Sequence, residues 1–288
     1  MQILIIRRRQ CRKETCTRSS THRRPSTETS RPSCGTTSRC CDGRRTRWCW
    51  TRAVDRVTSH TTSSSRFSPD AAVKHLVGVD ISPSMKEHGY KNFPHPKLIF
   101  DTFDLAQDDV TKLTQDPRLQ DGFDKIFSFY VLNWIFDLRS ALNKIYTLLK
   151  PRGQALFMFP ANRHYQRTYV EIQQRQPWSD ILQGLKREIS PYFYSNDPAG
   201  EFTELLKEVG FKVSVCKCVE TEDEFESLDV LKKLIESLDK YNSKIPAELK
   251  DQYLEECTQI MRKDNALKEL DGGRVMVPHR RLIALIEK

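Results

Sequence analysis

HLVGVDIS, residues 75–82, is a short apolar run (Leu76, Val77, Val79) that carries one glycine, ends in Asp80 and stops at Ser82-Pro83. An uncharged β-branched run of this length reads as a strand buried on both faces, the kind found in a parallel sheet. In doubly wound α/β domains an acid closing the second strand accepts hydrogen bonds from the ribose hydroxyls of a bound nucleoside, and Asp80 stands in that position. The plainer alternative is a solvated acid at the end of a buried strand. Ser82 then reads as an N-cap, with Pro83 at the first helical position.

Downstream, the pattern alternates. Residues 83–90 read as a short helix with Gly89 as its stop, and residues 98–100 as a third strand leading to Asp104-Leu105. There an acid followed by an apolar residue could meet an adenine amino group and cover its ring, although a lone Asp also serves as a cap or turn residue. Residues 124–134 (DKIFSFYVLNW) form the most apolar segment and read as a central strand rich in β-prone aromatics. Its end, Tyr130 to Trp134, falls on the carboxyl edge of the sheet, where open α/β sheets bind ligands. A helix is predicted over 137–149, ended by the turn KPRG, then a strand over 154–160. Beyond these come a helix at 202–209 stopped by Gly210, a strand at 211–219, and helices at 228–238 and 247–262. A final strand spans 274–286. Strands alternating with helices indicate βαβ units in a mostly parallel sheet, a Rossmann-like α/β fold with helices on both faces. Residues 70–288 make one domain, and the insertions at about 162–200 and 220–272 are long enough to form a helical lid.

The charge divides unevenly. Of 47 Lys+Arg and 38 Asp+Glu, 16 and 5 fall in residues 1–70, so the basic excess lies there and the body is near neutral. Six of the nine cysteines are also early (Cys11, Cys16, Cys34, Cys40, Cys41, Cys49), without zinc spacing. Cys216, Cys218 and Cys257 are too sparse for a disulfide framework and suit a reducing, cytoplasmic setting. MQILIIRRR at the start carries its charges after a short apolar run, unlike a signal peptide, and no stretch reaches membrane-spanning length. Residues 1–69 therefore read as a basic low-complexity arm, disordered or frame-shifted.

The frame-shift reading rests on codon arithmetic. Because Trp has a single codon, Trp48-Cys49-Trp50-Thr51 forces Val-Leu-Asp in the adjacent frame, and Thr51 through Thr58 permit Ala-Gly-Cys-Gly-Pro-Gly-Asp. VLDAGCGPGD is a strand followed by a glycine-rich nucleotide-binding loop, which belongs just before an HLVGVDIS strand.

With Asp80, Asp104, the strand ending in Asn133-Trp134 and the turn at Lys150 to Gly153, the chain resembles the class I S-adenosylmethionine-dependent methyltransferases. FSFYVLNW, KPRG and RVMVPHRRLIALIEK are most similar to the arthropod juvenile hormone acid O-methyltransferases, over residues 70–288. The resemblance implies a seven-stranded sheet with its last strand antiparallel and S-adenosyl-L-methionine as cofactor. It places Asp80 and Ile81 at the cofactor ribose, Asp104 and Leu105 at the adenine, and Tyr130, Asn133 and Trp134 between cofactor and substrate. Asn133 and Trp134 would be the catalytic pair, aligning a small apolar carboxylic acid of the juvenile hormone acid or farnesoic acid type. No metal is implied. Two features depart from the family: the motif Asp-x-Gly-x-Gly-x-Gly is absent in frame, with residues 52–57 in its place, and Asn133 stands where relatives often have His.

A methyl sulfonium is already strongly electrophilic, so such a protein mainly orients the acceptor oxygen. A carboxylate is ionised at neutral pH and requires no general base. Two other readings stand beside this one. The basic arm suits a nucleic-acid-binding protein or RNA methyltransferase, although the near-neutral body offers no basic groove. The missing glycine loop suits an inactive methyltransferase-like scaffold. The oligomeric state is not legible in the residues.

Overall fold

The computed structural model describes residues 2–7, 73–162, 164–185 and 189–288. Its strands are β1 (Gln2–Arg7), β2 (His75–Asp80), β3 (Leu98–Thr102), β4 (Phe123–Phe129), β5 (Leu149–Pro160), β6 (Lys212–Phe225), the two-residue β7 (Lys268–Glu269) and β8 (Val275–Glu287). They join in the order β3-β2-β1-β4-β5-β8-β6, with β7 alongside β8. The β1–β2, β1–β4, β2–β3 and β4–β5 pairs are parallel, whereas β8 runs antiparallel to both β5 and β6. This is the mostly parallel Rossmann-like sheet that the alternating pattern predicts, with the antiparallel last strand that the resemblance implies.

The longer helices are α1 (Pro83–Asn92), α2 (Leu138–Leu148), α3 (His164–Ile172), α4 (Pro198–Val209), α5 (Leu228–Leu238) and α6 (Lys250–Lys263). The chain steps one way from β1 through β2 to β3 and the other way from β4 to β5. Right-handed crossovers therefore set α1 and α2 on opposite faces. Asp137 caps α2, its carboxylate accepting from the Ser140 backbone N–H at 2.9 Å. Leu138, Ala141, Leu142, Ile145 and Leu148 line one stripe of that helix, packed with Ile126, Phe157, Phe159, Phe202, Leu282 and Ala284 in the main core. Gly210 ends α4 with φ +107, a left-handed conformation that glycine adopts without a Cβ penalty.

Helices α3, α5 and α6, supplied by the two insertions, pack around a second apolar cluster. It gathers Ile172, Trp178, Leu231, Ile235, Tyr253 and Ile260 with Val275 and Val277 of β8. The Trp178 indole donates to Glu256 Oε2 at 2.8 Å and the Tyr253 hydroxyl to Asp239 Oδ2 at 2.6 Å. The inserted helices are thus built onto the first half of β8.

The central strand differs most from the sequence reading, which sets residues 1–69 outside the domain and so offers no partner between β2 and β4. Gln2–Arg7 lies between them, Ile5 opposite Gly78 on one side and Phe127 on the other. The physical reason is local. ILII is the longest apolar run before residue 70, and a slot between two apolar parallel strands accepts an uncharged β-branched run. The rest of the arm and the segment read in the adjacent frame, residues 48–58, lie outside the described residues.

Several boundaries also shift, among them the strand read at 154–160, which begins at Leu149 and takes in the KPRG segment. Gly89 lies inside α1, not at its end, because a Cβ there would stand 2.5 Å from the Phe100 ring: the glycine lets α1 approach β3. The strand at 124–134 stops at Phe129, since Tyr130 takes φ +59 and residues 132–134 form a 3₁₀ turn. The helix at 247–262 begins as a 3₁₀ turn and becomes α-helical at Lys250.

Candidate active site

The direction of winding reverses at β1, flanked by β2 and β4, and open α/β sheets hold ligands at the carboxyl edge of such a point. On one side of that edge Asp80 ends β2, only 2% exposed. Its Oδ1 accepts from the Ser82 backbone N–H at 2.9 Å and its carbonyl accepts from Phe103 N–H at 3.0 Å. Ser82 precedes α1 in extended backbone as expected, but its hydroxyl meets Ser84 Oγ rather than capping a helical N–H. Ile81 is half-buried beside it.

Across β3, the half-buried Asp104 follows the buried Phe103. Its Oδ1 accepts from Ala106 N–H at 2.9 Å, the turn role weighed for a lone Asp. Leu105 is 2% exposed and belongs to the main core. Lys144 of α2 donates to the carbonyls of Leu105 and Ala106 at 3.1 and 3.0 Å, fastening this loop to the opposite layer.

Tyr130, Asn133 and Trp134 lie together at the end of β4. A left-handed tyrosine is an uncommon, costly conformation, and such positions cluster at functional sites. Its N–H donates to the Met158 carbonyl at 2.8 Å, which ties the turn to β5. Asn133 is 2% exposed, and neither atom of its amide has a hydrogen-bond partner among the described residues. Burying an amide unpaired costs free energy, so such a group is a candidate for meeting a ligand. Trp134 is half-buried next to it.

The sequence reading passed over the start of β8. His279 and Arg281 alternate with Val275 and Val277 on one face, opposite Thr221 and Val219 of β6. The Arg281 guanidinium lies 5.9 Å from the Tyr130 ring centroid, which brings β8 to the end of β4. The available signal was VPHRR, a His and two Arg breaking an otherwise apolar strand. His164 of α3 approaches the same region, and burial lowers its pKa, favouring the neutral ring.

A parallel sheet reversing beside a buried acid, with an aromatic strand end across the crevice, is the layout of a nucleoside-cofactor α/β enzyme. Residues 65–214 match the family model for a methyltransferase domain, and the chain belongs to the S-adenosylmethionine-dependent methyltransferases. More particularly, it is 31% identical over 198 residues to juvenile hormone acid O-methyltransferase of Bombyx mori, covering 69% of this chain and 68% of the relative. The enzyme of the same name from Drosophila melanogaster is 30% identical over 220 residues, covering 74% and 71%. A solved S-adenosylmethionine-dependent methyltransferase from Mesorhizobium loti superposes with a TM-score of 0.38 at 12% identity, covering 75% and 81%.

The family's cofactor is S-adenosylmethionine. The buried Asp80 at the β2 edge fits its ribose. In the sequence, the residues that follow β1, Arg8-Arg9-Gln10-Cys11, contain no glycine of the kind that admits the close backbone approach its methionine portion requires. No group of His, Cys, Asp and Glu among the described residues could hold a metal ion, and no described helix is long and apolar enough to cross a membrane.

Proposed function

We propose that the methyl acceptor is a small carboxylic acid on an apolar chain, of the juvenile hormone acid type. The observation that carries this is the name shared by the two relatives at about one-third identity, each matched over more than two-thirds of its length. The aromatic character of the strand end, with Tyr130 and Trp134, agrees with an apolar acceptor. When bound, the cofactor supplies an electrophilic methyl group. The chain's own residues then have to bury the apolar tail, orient an already ionised carboxylate and exclude water. Asn133 and Trp134 are assigned to that orienting role, Tyr130 to the boundary between the two ligands. In a version carrying VLDAGCGPGD over residues 48–57, methyl transfer from labelled cofactor should appear with dodecanoic and isoprenoid acids and be absent with small polar acids and RNA. Activity on RNA alone would replace this reading with that of an RNA methyltransferase.

Asp80 and Ile81 are assigned to the ribose, Asp104 and Leu105 to the adenine. Asp104 Oδ1 is already engaged in its turn and Leu105 is a core residue, so Asp80 should dominate. In a version carrying VLDAGCGPGD over residues 48–57, Asp80→Ala should cost about 1.5–3 kcal/mol of S-adenosylhomocysteine affinity through lost charge-assisted hydrogen bonds. Calorimetry showing equal affinity with and without the carboxylate would remove the assignment.

A second reading, an inactive methyltransferase-like scaffold, is favoured by one specific observation, the absence of glycine from the sequence that directly follows β1.

A further inference from the structure

We propose that Arg281 is the counter-ion for the acceptor's carboxylate, held in place by His279; this rests on the acid-acceptor reading above. The two adjacent arginines of β8 have different surroundings. Arg280 is occupied by structure: its N–H donates to Asn162 Oδ1 at 2.6 Å and its guanidinium to the carbonyls of Ser195 and Phe193 at 3.1 and 3.4 Å. It fastens the loop that leads to α4.

Arg281 points to the other face of the strand, where Val275 and Val277 are covered by the inserted helices and Ile283 and Leu285 are half-buried. Its position in the sheet is opposite Pro160, at the carboxyl end of β5, so it sits on the edge where the site lies. Its Nε is buried and has no hydrogen-bond partner among the described residues. The carboxylate it meets, Asp223, is 3.7 Å from Nη2, beyond hydrogen-bonding distance, and is 45% exposed to water. A guanidinium offers five donors in a planar fork suited to a bidentate carboxylate, and the contacts here leave that capacity largely unspent.

His279 supplies the orientation. It is 4% exposed, with Nε2 3.2 Å from Arg281 Nη2 and 2.9 Å from Thr221 Oγ1. Because a guanidinium can only donate, Nε2 must accept. The ring proton is then on Nδ1, which lies 3.6 Å from Asp223 Oδ2. A neutral His279 thus steers Arg281 toward Tyr130 without competing for an incoming anion. An acid reaching this edge would set its carboxylate on the fork, beside the strand-end residues.

The test uses the full chain and direct binding, so it does not depend on turnover. Dodecanoate and dodecan-1-ol are titrated against the unaltered protein and the Arg281→Met, Arg281→Lys and His279→Gln variants, with tryptophan fluorescence as readout and circular dichroism confirming the fold of each. The unaltered chain should prefer the acid. Arg281→Met should weaken dodecanoate at least tenfold and the alcohol less than twofold, Arg281→Lys should retain part of the preference, and His279→Gln should reduce it moderately. An acid preference that survives Arg281→Met overturns the role of Arg281 while leaving the acid-acceptor reading intact. Equal affinity of the unaltered chain for acid and alcohol, or binding of neither, overturns both.

Discussion

Titrated with S-adenosylhomocysteine, the chain as written should bind at least about a hundredfold more weakly than the same chain carrying VLDAGCGPGD over residues 48–57, because close approach to the ligand requires residues without Cβ and buried unpaired charge is costly. On the assignment proposed above, Asp80 and the loop after β3 would supply half of a nucleoside site. The other half would come from the residues that follow the central strand, and in the sequence three consecutive arginines begin at the position in register with Asp80. Isothermal titration of the two versions decides the matter, and saturable micromolar binding by the chain as written would sink the expectation. The transcript across codons 40–75 is an independent check: a nucleotide sequence unable to encode VLDAGCGPGD in the adjacent frame removes the basis of the frame-shift reading.

The second large effect is expected at Ile5. In a strand paired on both sides every interior N–H joins a ladder, and Ile5 stands between Gly78 and Phe127. Proline there removes a donor and leaves a carbonyl of a neighbouring strand unpaired, so Ile5→Pro should destabilise by at least about 2 kcal/mol. For a body of this size that corresponds to a fall of about 4–8 °C in the unfolding midpoint. The same substitution in the version carrying VLDAGCGPGD should be nearly silent, because Val-Leu-Asp would then compete for the central position. An unchanged midpoint in the chain as written would show that Gln2–Arg7 is not needed in the sheet.

Residues 75–82 and the alternation after them gave the class of fold, since burial on both faces leaves an uncharged run and amphipathic helices leave a 3.6-residue period. These are local signals. Gly210 after α4 was likewise readable, because a cap acts within a turn of the helix it closes, whereas Asp137, read as part of the helix, proved to be its cap. Asp80 was legible for the same reason, as an acid closing a buried strand.

The choice of central strand was not legible, because it depends on pairing partners far along the chain, Gly78 and Phe127 for Ile5. A short apolar run carries no record of the slot it will fill, and Gln2–Arg7 was set aside on the charges that follow it. Nor could the sequence show that β4 ends at Phe129: the left-handed turn at Tyr130 is enforced by its bond to Met158 on the next strand. Arg281 is the clearest case. Its sequence neighbour Arg280 has the same chemistry, and alternation across β8 alone sends one to a loop and the other to the Tyr130 edge. Sequence by itself therefore determined the methyltransferase class and the acid at the end of β2. Only the tertiary structure decided which run stands at the centre and which arginine faces the site, because both depend on strand order and register, which are properties of non-local contacts.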